Sequence, residues 1–218
     1  MAAFDFGRKI DPGTIDALVG QEYHIDMRAA IARGWELFRE HVGEFLGFTI
    51  ILFLVSAISS LFSNAGSLIV SAIFSPLSAG FLIATFRIIS GREFHFNDLF
   101  SGFNHFLPLL LAGLATGFIV GAGFLLLILP GIYLMVSYMF ASALVVDYGM
   151  EFWQAMETSR KIVGKHWFRL FGFMLLLILI NLLGLLALGI GLLVSIPVTS
   201  CAVAVAYRGI VGDHEGEW

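Results

Sequence analysis

Three long stretches of this chain, residues 45–86, 107–146 and 170–207, contain no Asp, Glu, Lys, Arg or His. They run to 42, 40 and 38 residues. A straight helix of about 40 residues, rising 1.5 Å per residue, would extend roughly 60 Å, twice the hydrocarbon thickness of a bilayer, so each stretch is expected to fold back as a helical hairpin. The fold class expected is therefore all-α: a polytopic membrane protein with six transmembrane helices in three hairpins and amphipathic helices at the interface. A β-barrel would show short alternating segments instead of unbroken apolar runs. Turn residues stand near each midpoint: Ser63, Asn64, Ala65 and Gly66, then Pro130 and Gly131, then Gly189 and Gly191. Composition agrees, with 59% apolar and 13% charged residues and a mean hydropathy of +0.92, far beyond a soluble domain. No polar stretch is long enough to bury a second core, which excludes a separate soluble catalytic domain.

All twelve Lys and Arg residues lie outside the three stretches and hence on one membrane face. The positive-inside rule makes that face cytoplasmic and puts both termini there. The net charge of -4 argues against nucleic acid as a partner, which would need a basic face. Residues 1–20 hold no apolar run of signal-peptide length, so insertion is expected to begin at the first span. The chain divides into an N-terminal cytoplasmic arm (1–24), a six-helix domain (25–210) and an acidic cytoplasmic tail (211–218). Residues Thr14 to Val19 of the arm have the makings of one short helical turn, and docking under the bundle would let the arm plug a cytoplasmic opening. Cys201, in an apolar stretch, reads as a buried structural thiol.

A short amphipathic segment precedes each hairpin, so the chain reads as three copies of one unit. In the first, Met27, Ile31, Trp35, Phe38, Val42 and Phe45 recur at helical spacing, opposite Arg28, Arg33, Glu36, Arg39, Glu40 and Glu44. The second carries Leu99, Phe100, Phe103 and Phe106, with Asn97 or Asp98 placed to cap it. The third sets Phe152, Met156, Val163 and Trp167 against Arg160, Lys161 and Lys165. Anchoring in the interface is expected of all three. Trp35, Arg160, Lys161, Lys165 and Trp167 are the candidate lipid contacts, the cations suiting anionic headgroups. The second span of each unit carries a proline, Pro76, Pro130 or Pro197, and eleven residues beyond Pro76 and Pro197 stand Arg87 and Arg208. There a cation favours the helix C-terminus. A loosely three-fold bundle follows, its axis along the membrane normal.

Gly113, Gly117 and Gly121 form a small-residue ridge expected to pack inside the bundle, with homo-oligomerisation the lesser reading. Kinks at Pro76 and Pro197 raise the question of a cavity, which Ser78, Ser137, Thr199 and Ser200 would line. Asn181, an amide deep in a span, requires an interhelical hydrogen bond. The absence of ionisable groups within the uncharged stretches disfavours ion-coupled transport. No phosphate loop, GxSxG or HExxH occurs; Glu40–Glu44 and His41–Glu44 have a helical spacing that a metal could use, on a helix where solvated charge is the default. No cofactor is expected.

The run Pro130, Gly131, Ile132, Tyr133, Leu134, with Ser137, Tyr138, Asp147, Ala155, Ser159, Val163, Gly164, Lys165 and His166, and then Pro197 to Tyr207 and Arg208, resembles uncharacterised bacterial six-helix membrane families. These include the membrane domain that accompanies some glycerophosphodiester phosphodiesterases. The resemblance covers roughly residues 25–210 and implies a six-helix cytoplasmic-membrane protein without assigned activity; it carries over no catalytic residue. The leading expectation is a non-enzymatic accessory or scaffold whose partners are membrane lipids and another membrane or peripheral protein. The alternatives are a carrier or permease for a neutral or lipidic substrate, and a lipid-modifying enzyme in which His41, Asp147 or His166 would converge.

Overall fold

The computed structural model describes residues 7–20, 26–60, 64–187 and 189–212, with side chains at 59–60 and 64–72 outside the description. Among the described residues ten α-helices follow one another: α1 (Pro12–Gly20), α2 (Met27–Glu40), α3 (Val42–Ser60), α4 (Asn64–Ile89), α5 (Phe106–Leu126), α6 (Ile128–Ser137), α7 (Ala141–Tyr148), α8 (Phe152–Lys165), α9 (Trp167–Leu186) and α10 (Leu192–Val211). A 3-10 segment, Phe96–His105, leads directly into α5. No strand occurs among the described residues. Among the described residues four helical runs are long and apolar enough to cross a membrane: Phe96–Leu126, Ile128–Tyr148, Trp167–Leu186 and Leu192–Val211. A fifth arises if α2 and α3, bent by 96°, count as one broken span, and Ile73–Ile89 adds a shorter apolar helix. The chain thus has the build of an all-α membrane protein.

Helix α10 is the centre. Of its apolar window 67% is buried inside the protein, against 17–44% for the other three runs, whose apolar surface faces outward. Phe86, Phe140, Val146, Met150, Val163, Leu170 and Tyr207 form one core. A second gathers Phe45, Phe48, Phe81, Leu99, Val198 and Cys201. A third joins α2 to α9 and α10 through Ala30, Phe173, Leu177, Ala202 and Ala206. Cys201 is buried, as its surroundings in the sequence suggest.

Several expectations are corrected here. The first amphipathic pattern is two helices, not one, because the chain turns at His41. Asp26 starts α2 by accepting the N–H groups of Arg28 and Ala29, both at 3.0 Å. The buried face of α2 is Ala30, Gly34, Leu37 and Phe38, while Trp35 and Val42 stay exposed. Instead of only lying on a surface, α2 presses onto α10: a Cβ on Gly34 would stand 2.8 Å from the Ala202 nitrogen. The second segment is likewise packed on α4, where a Cβ on Gly80 would run into the Leu99 carbonyl and one on Gly102 into the Pro76 carbonyl. Its first turn is held by Asp98 from inside, accepting the His95 N–H at 2.8 Å. The chain breaks between α5 and α6 at Leu127, so Pro130 and Gly131 fall within the first turn of α6. Proline is tolerated there because that N–H has no intrahelical partner. Asn64, Ala65 and Gly66 are helical, and Ser63 lies outside the described residues. Gly189, with φ +77°, does stand in the turn before α10.

The ridge Gly113, Gly117, Gly121 does not pack as expected. A Cβ on Gly113 would meet Ser75 Oγ at 2.9 Å, whereas Gly117 and Gly121 have nothing within 4 Å. A four-residue repeat drifts about 40° per step around a helix of 3.6 residues per turn. With Leu109 and Ala112 turned inward, Gly113 sits at the edge of the contact and the next two rotate away from it. Close approach is made elsewhere, at Gly34, Gly80 and Gly102, and between Gly123 and Gly131, where a Cβ on the first would lie 3.0 Å from the Cα of the second. Gly34→Ala is expected to cost about 1–3 kcal/mol by overpacking, while Gly117→Ala, in open space, leaves stability unchanged or raises it by up to about 1 kcal/mol through helix propensity. Thermal melts of the two variants in detergent check this contrast.

Candidate functional site

Among the described residues four sets of polar groups join separate elements, and one that is almost wholly buried lies where α7 and α10 end. Asp147 occupies the last turn of α7, which stops at Gly149 in the left-handed region (φ +63°), a conformation glycine adopts without steric cost. Its Oδ2 accepts the Tyr207 hydroxyl at 2.9 Å, and its Oδ1 accepts Arg208 Nη2 at 3.1 Å. The Arg208 guanidinium stands 4.6 Å from the centre of the Phe86 ring on α4. The side chains of Arg208 and Asp147 are only 5% and 0% exposed. Tyr207 is fully buried, its ring 5.4 Å from Phe86 and 5.9 Å from Phe140. A lone buried carboxylate would be severely penalised by lost hydration; a cation and a hydroxyl on one partner helix offset that penalty and tie α7 to α10.

Arg87, at the matching place on α4, takes a different carboxylate: it meets Asp98 of the 3-10 segment at 3.1 Å. The two cations that the proline spacing singles out thus each fasten a neighbouring segment to the end of a helix. The third set lies towards the other end of α10. Asn181 of α9 donates to Thr199 Oγ1 at 3.1 Å and accepts from Ser195 Oγ at 2.9 Å. These are the interhelical bonds its position demands. Thr199 also donates to the carbonyls of Ser195 and Ile196, before and beside Pro197.

The hydroxyls expected to line a cavity are engaged locally. Ser78 donates to the Ser75 carbonyl at 2.9 Å, and Ser137 is buried and donates to the Tyr133 carbonyl at 2.7 Å. Thr199 belongs to the Asn181 set, and Ser200 is half-buried on α10. The Pro76 carbonyl is covered by Gly102. These residues are spread over α4, α6 and α10.

The fourth set is α8 and the arm. Ser159 donates to the Ser137 carbonyl at 2.7 Å and accepts the Phe140 N–H at 3.3 Å, which anchors α8 under the break between α6 and α7. Arg160 grips Glu157 with two hydrogen bonds of 2.6 and 2.9 Å, and they hold the Glu157 carboxyl below the usual carboxylate range. Lys161 lies one residue on and Lys165 ends the helix. Trp167, opening α9, stacks on Phe171 at 5.1 Å and Tyr133 at 5.8 Å. Trp35 leans on Phe38 at 5.8 Å. The arm docks here: the Arg8 N–H reaches the Gly149 carbonyl, the Glu151 N–H returns to the Arg8 carbonyl, and the Gln154 amide bonds Ile10 in both directions at 2.8 Å. Helix α1 buries Leu18 in the first core. It is longer than the single turn read from the sequence. A cavity of about 490 Å³ opens between this arm and α8.

His41 packs its ring edge-on to Phe94 at 5.2 Å, apart from the Asp147 set. It stands between α2 and α3, so the helical spacing of Glu40, His41 and Glu44 has no shared helix behind it. No group of three His, Cys, Asp or Glu side chains arranged to hold a metal ion occurs among the described residues. What sequence reasoning missed is the place of the histidines. His41 (φ -131°, ψ 42°) and His166 (φ -132°, ψ 41°) each close a 14-residue helix and turn the chain into an apolar one; His105 (φ -110°, ψ 32°) does so before α5. A histidine at the head of each uncharged stretch was the available signal. Compared with known proteins, the chain matches no family model, no curated protein and no solved structure.

Asp147→Asn is expected to cost about 3–5 kcal/mol by stranding a buried guanidinium. Tyr207→Phe should cost about 1 kcal/mol and Glu157→Gln, at a half-exposed pair, less than about 0.5 kcal/mol. Melting temperatures in that order check the ranking.

Proposed function

We propose that the chain is a six-span protein of a bacterial cytoplasmic membrane and serves as a non-enzymatic accessory or scaffold. In this reading α3, α4, α5, the α6–α7 pair, α9 and α10 are the spans, paired as three hairpins, and the end carrying Arg87, Asp147, α8 and the arm faces the cytoplasm with both termini. The position of every Lys and Arg outside the three uncharged stretches supports that orientation. The three histidine junctions and the two proline helices ending in Arg87 and Arg208 support an internal repeat. So does the resemblance of residues 25–210 to six-helix bacterial families without assigned activity.

The observation that carries the scaffold reading is how the interior polar groups are used. Asp147, Tyr207 and Arg208 answer one another, Asn181, Ser195 and Thr199 do the same, and Ser78, Ser137 and Ser159 bond backbone carbonyls. Such bonds hold helices in register. Extraction into native-lipid discs, followed by mass spectrometry of the polypeptides retained, tests the role: a second polypeptide at fixed stoichiometry is expected. A bound solute lost on Thr199→Val, with no second polypeptide, would contradict it and favour a carrier.

A further inference from the structure

Between the arm and the first turns of α8 lies the cavity of about 490 Å³, within the size range of small-molecule sites. Its walls carry charges of both signs. Lys9 and Lys161 supply two ammonium groups, and Glu151 and Glu157 two carboxylates, beside Phe152 and Trp153. Trp153 is 58% exposed. Glu157 is already gripped by Arg160 through both carboxylate oxygens, which leaves Glu151 as the carboxylate that can take a ligand's cation; a phosphate linked to a primary ammonium finds the two lysines for one end and Glu151 for the other. Lys9 reaches Glu151 only at 4.0 Å and is itself almost fully exposed, so a phosphate loses little by displacing that contact. The backbone on either side of Lys9 is tied down by the two-way Gln154–Ile10 bonds and the Arg8 backbone pairing, which spares a ligand part of the ordering cost.

Its level in the membrane is set by its neighbours. In the membrane-spanning reading α8, which joins the end of the Ile128–Tyr148 run to the start of the Trp167–Leu186 run, belongs where those runs leave the apolar region. Trp153 in its first turn and Phe168 just beyond it are exposed, as aromatic side chains are at headgroup depth. We propose that this cavity binds the zwitterionic phosphoethanolamine headgroup of a membrane phospholipid, its phosphate on Lys9 and Lys161 and its ammonium towards Glu151. The inference rests on the membrane-spanning reading above.

The test is the full chain reconstituted in vesicles of equal parts phosphatidylethanolamine, phosphatidylcholine and phosphatidylglycerol, re-extracted, and its retained lipids quantified. Phosphatidylethanolamine is expected to be enriched about fivefold, falling to its share of the vesicle on the paired change Lys9→Ala and Lys161→Ala. Glu151→Gln should shift retention towards phosphatidylcholine, whose quaternary ammonium donates no hydrogen bond. Equal retention of the three lipids, preference for the anionic lipid, or an enrichment unmoved by the lysine changes would each overturn the proposal. So would displacement of the bound lipid by millimolar free glycerophosphoethanolamine, which would make the site one for a soluble phosphodiester. Failure of the chain to insert would instead refute the membrane reading, so the two outcomes are distinct.

Discussion

A carboxylate carried out of water into a bundle of apolar helices has to be met by a cation, and in this protein that need determines where the helices end. Asp147 closes α7 and Arg208 closes α10, and their contact at 3.1 Å, with the Tyr207 hydroxyl beside it, fixes how far each helix reaches. Phe86 on α4 lies under the guanidinium, which draws a third helix to the same point. The corner just after Asp147 then receives the arm, through Gly149 and Glu151. One ion pair thus stands where the first core, the approach to α8 and the N-terminal segment meet. Replacing such a pair with apolar groups need not destabilise a protein; its contribution here is to specify one arrangement of helices that are otherwise uniformly greasy.

The broad outline was legible in the sequence because charge is so costly in hydrocarbon that about 40 residues without any mark out the part of a chain suited to the membrane interior. The interior amide Asn181 and the cations after Pro76 and Pro197 were also legible, since each carries a requirement that some neighbour must satisfy. The small residues were not. Gly113, Gly117 and Gly121 have the spacing of a packing ridge, yet two of them face open space, while Gly34, Gly80 and Gly102 make the close approaches without any repeat to announce them. Spacing along one helix says which residues share a face; which face meets a partner depends on helices remote in sequence. The same limit hid the docking of α2 on α10, because an amphipathic pattern does not distinguish a membrane interface from a neighbouring helix rich in Ala and Val.

The functional proposal follows from that division of labour. Interior polar groups are used to hold helices, which leaves α8 and the arm as the region where charge, aromatic surface and a cavity coincide. A scaffold that selects its lipids through α8 would couple bilayer composition to the placement of the arm, since Lys9 belongs to one and Lys161 to the other.

A double-mutant cycle on Asp147 and Arg208, using Asp147→Asn, Arg208→Gln and the pair together in native-lipid discs, measures the central interaction directly. A coupling energy of at least about 1.5 kcal/mol is expected, the pair being less destabilised than the sum of its parts. Additive effects, within about 0.3–0.5 kcal/mol, would show that the two side chains do not depend on each other and that something else holds α7 to α10.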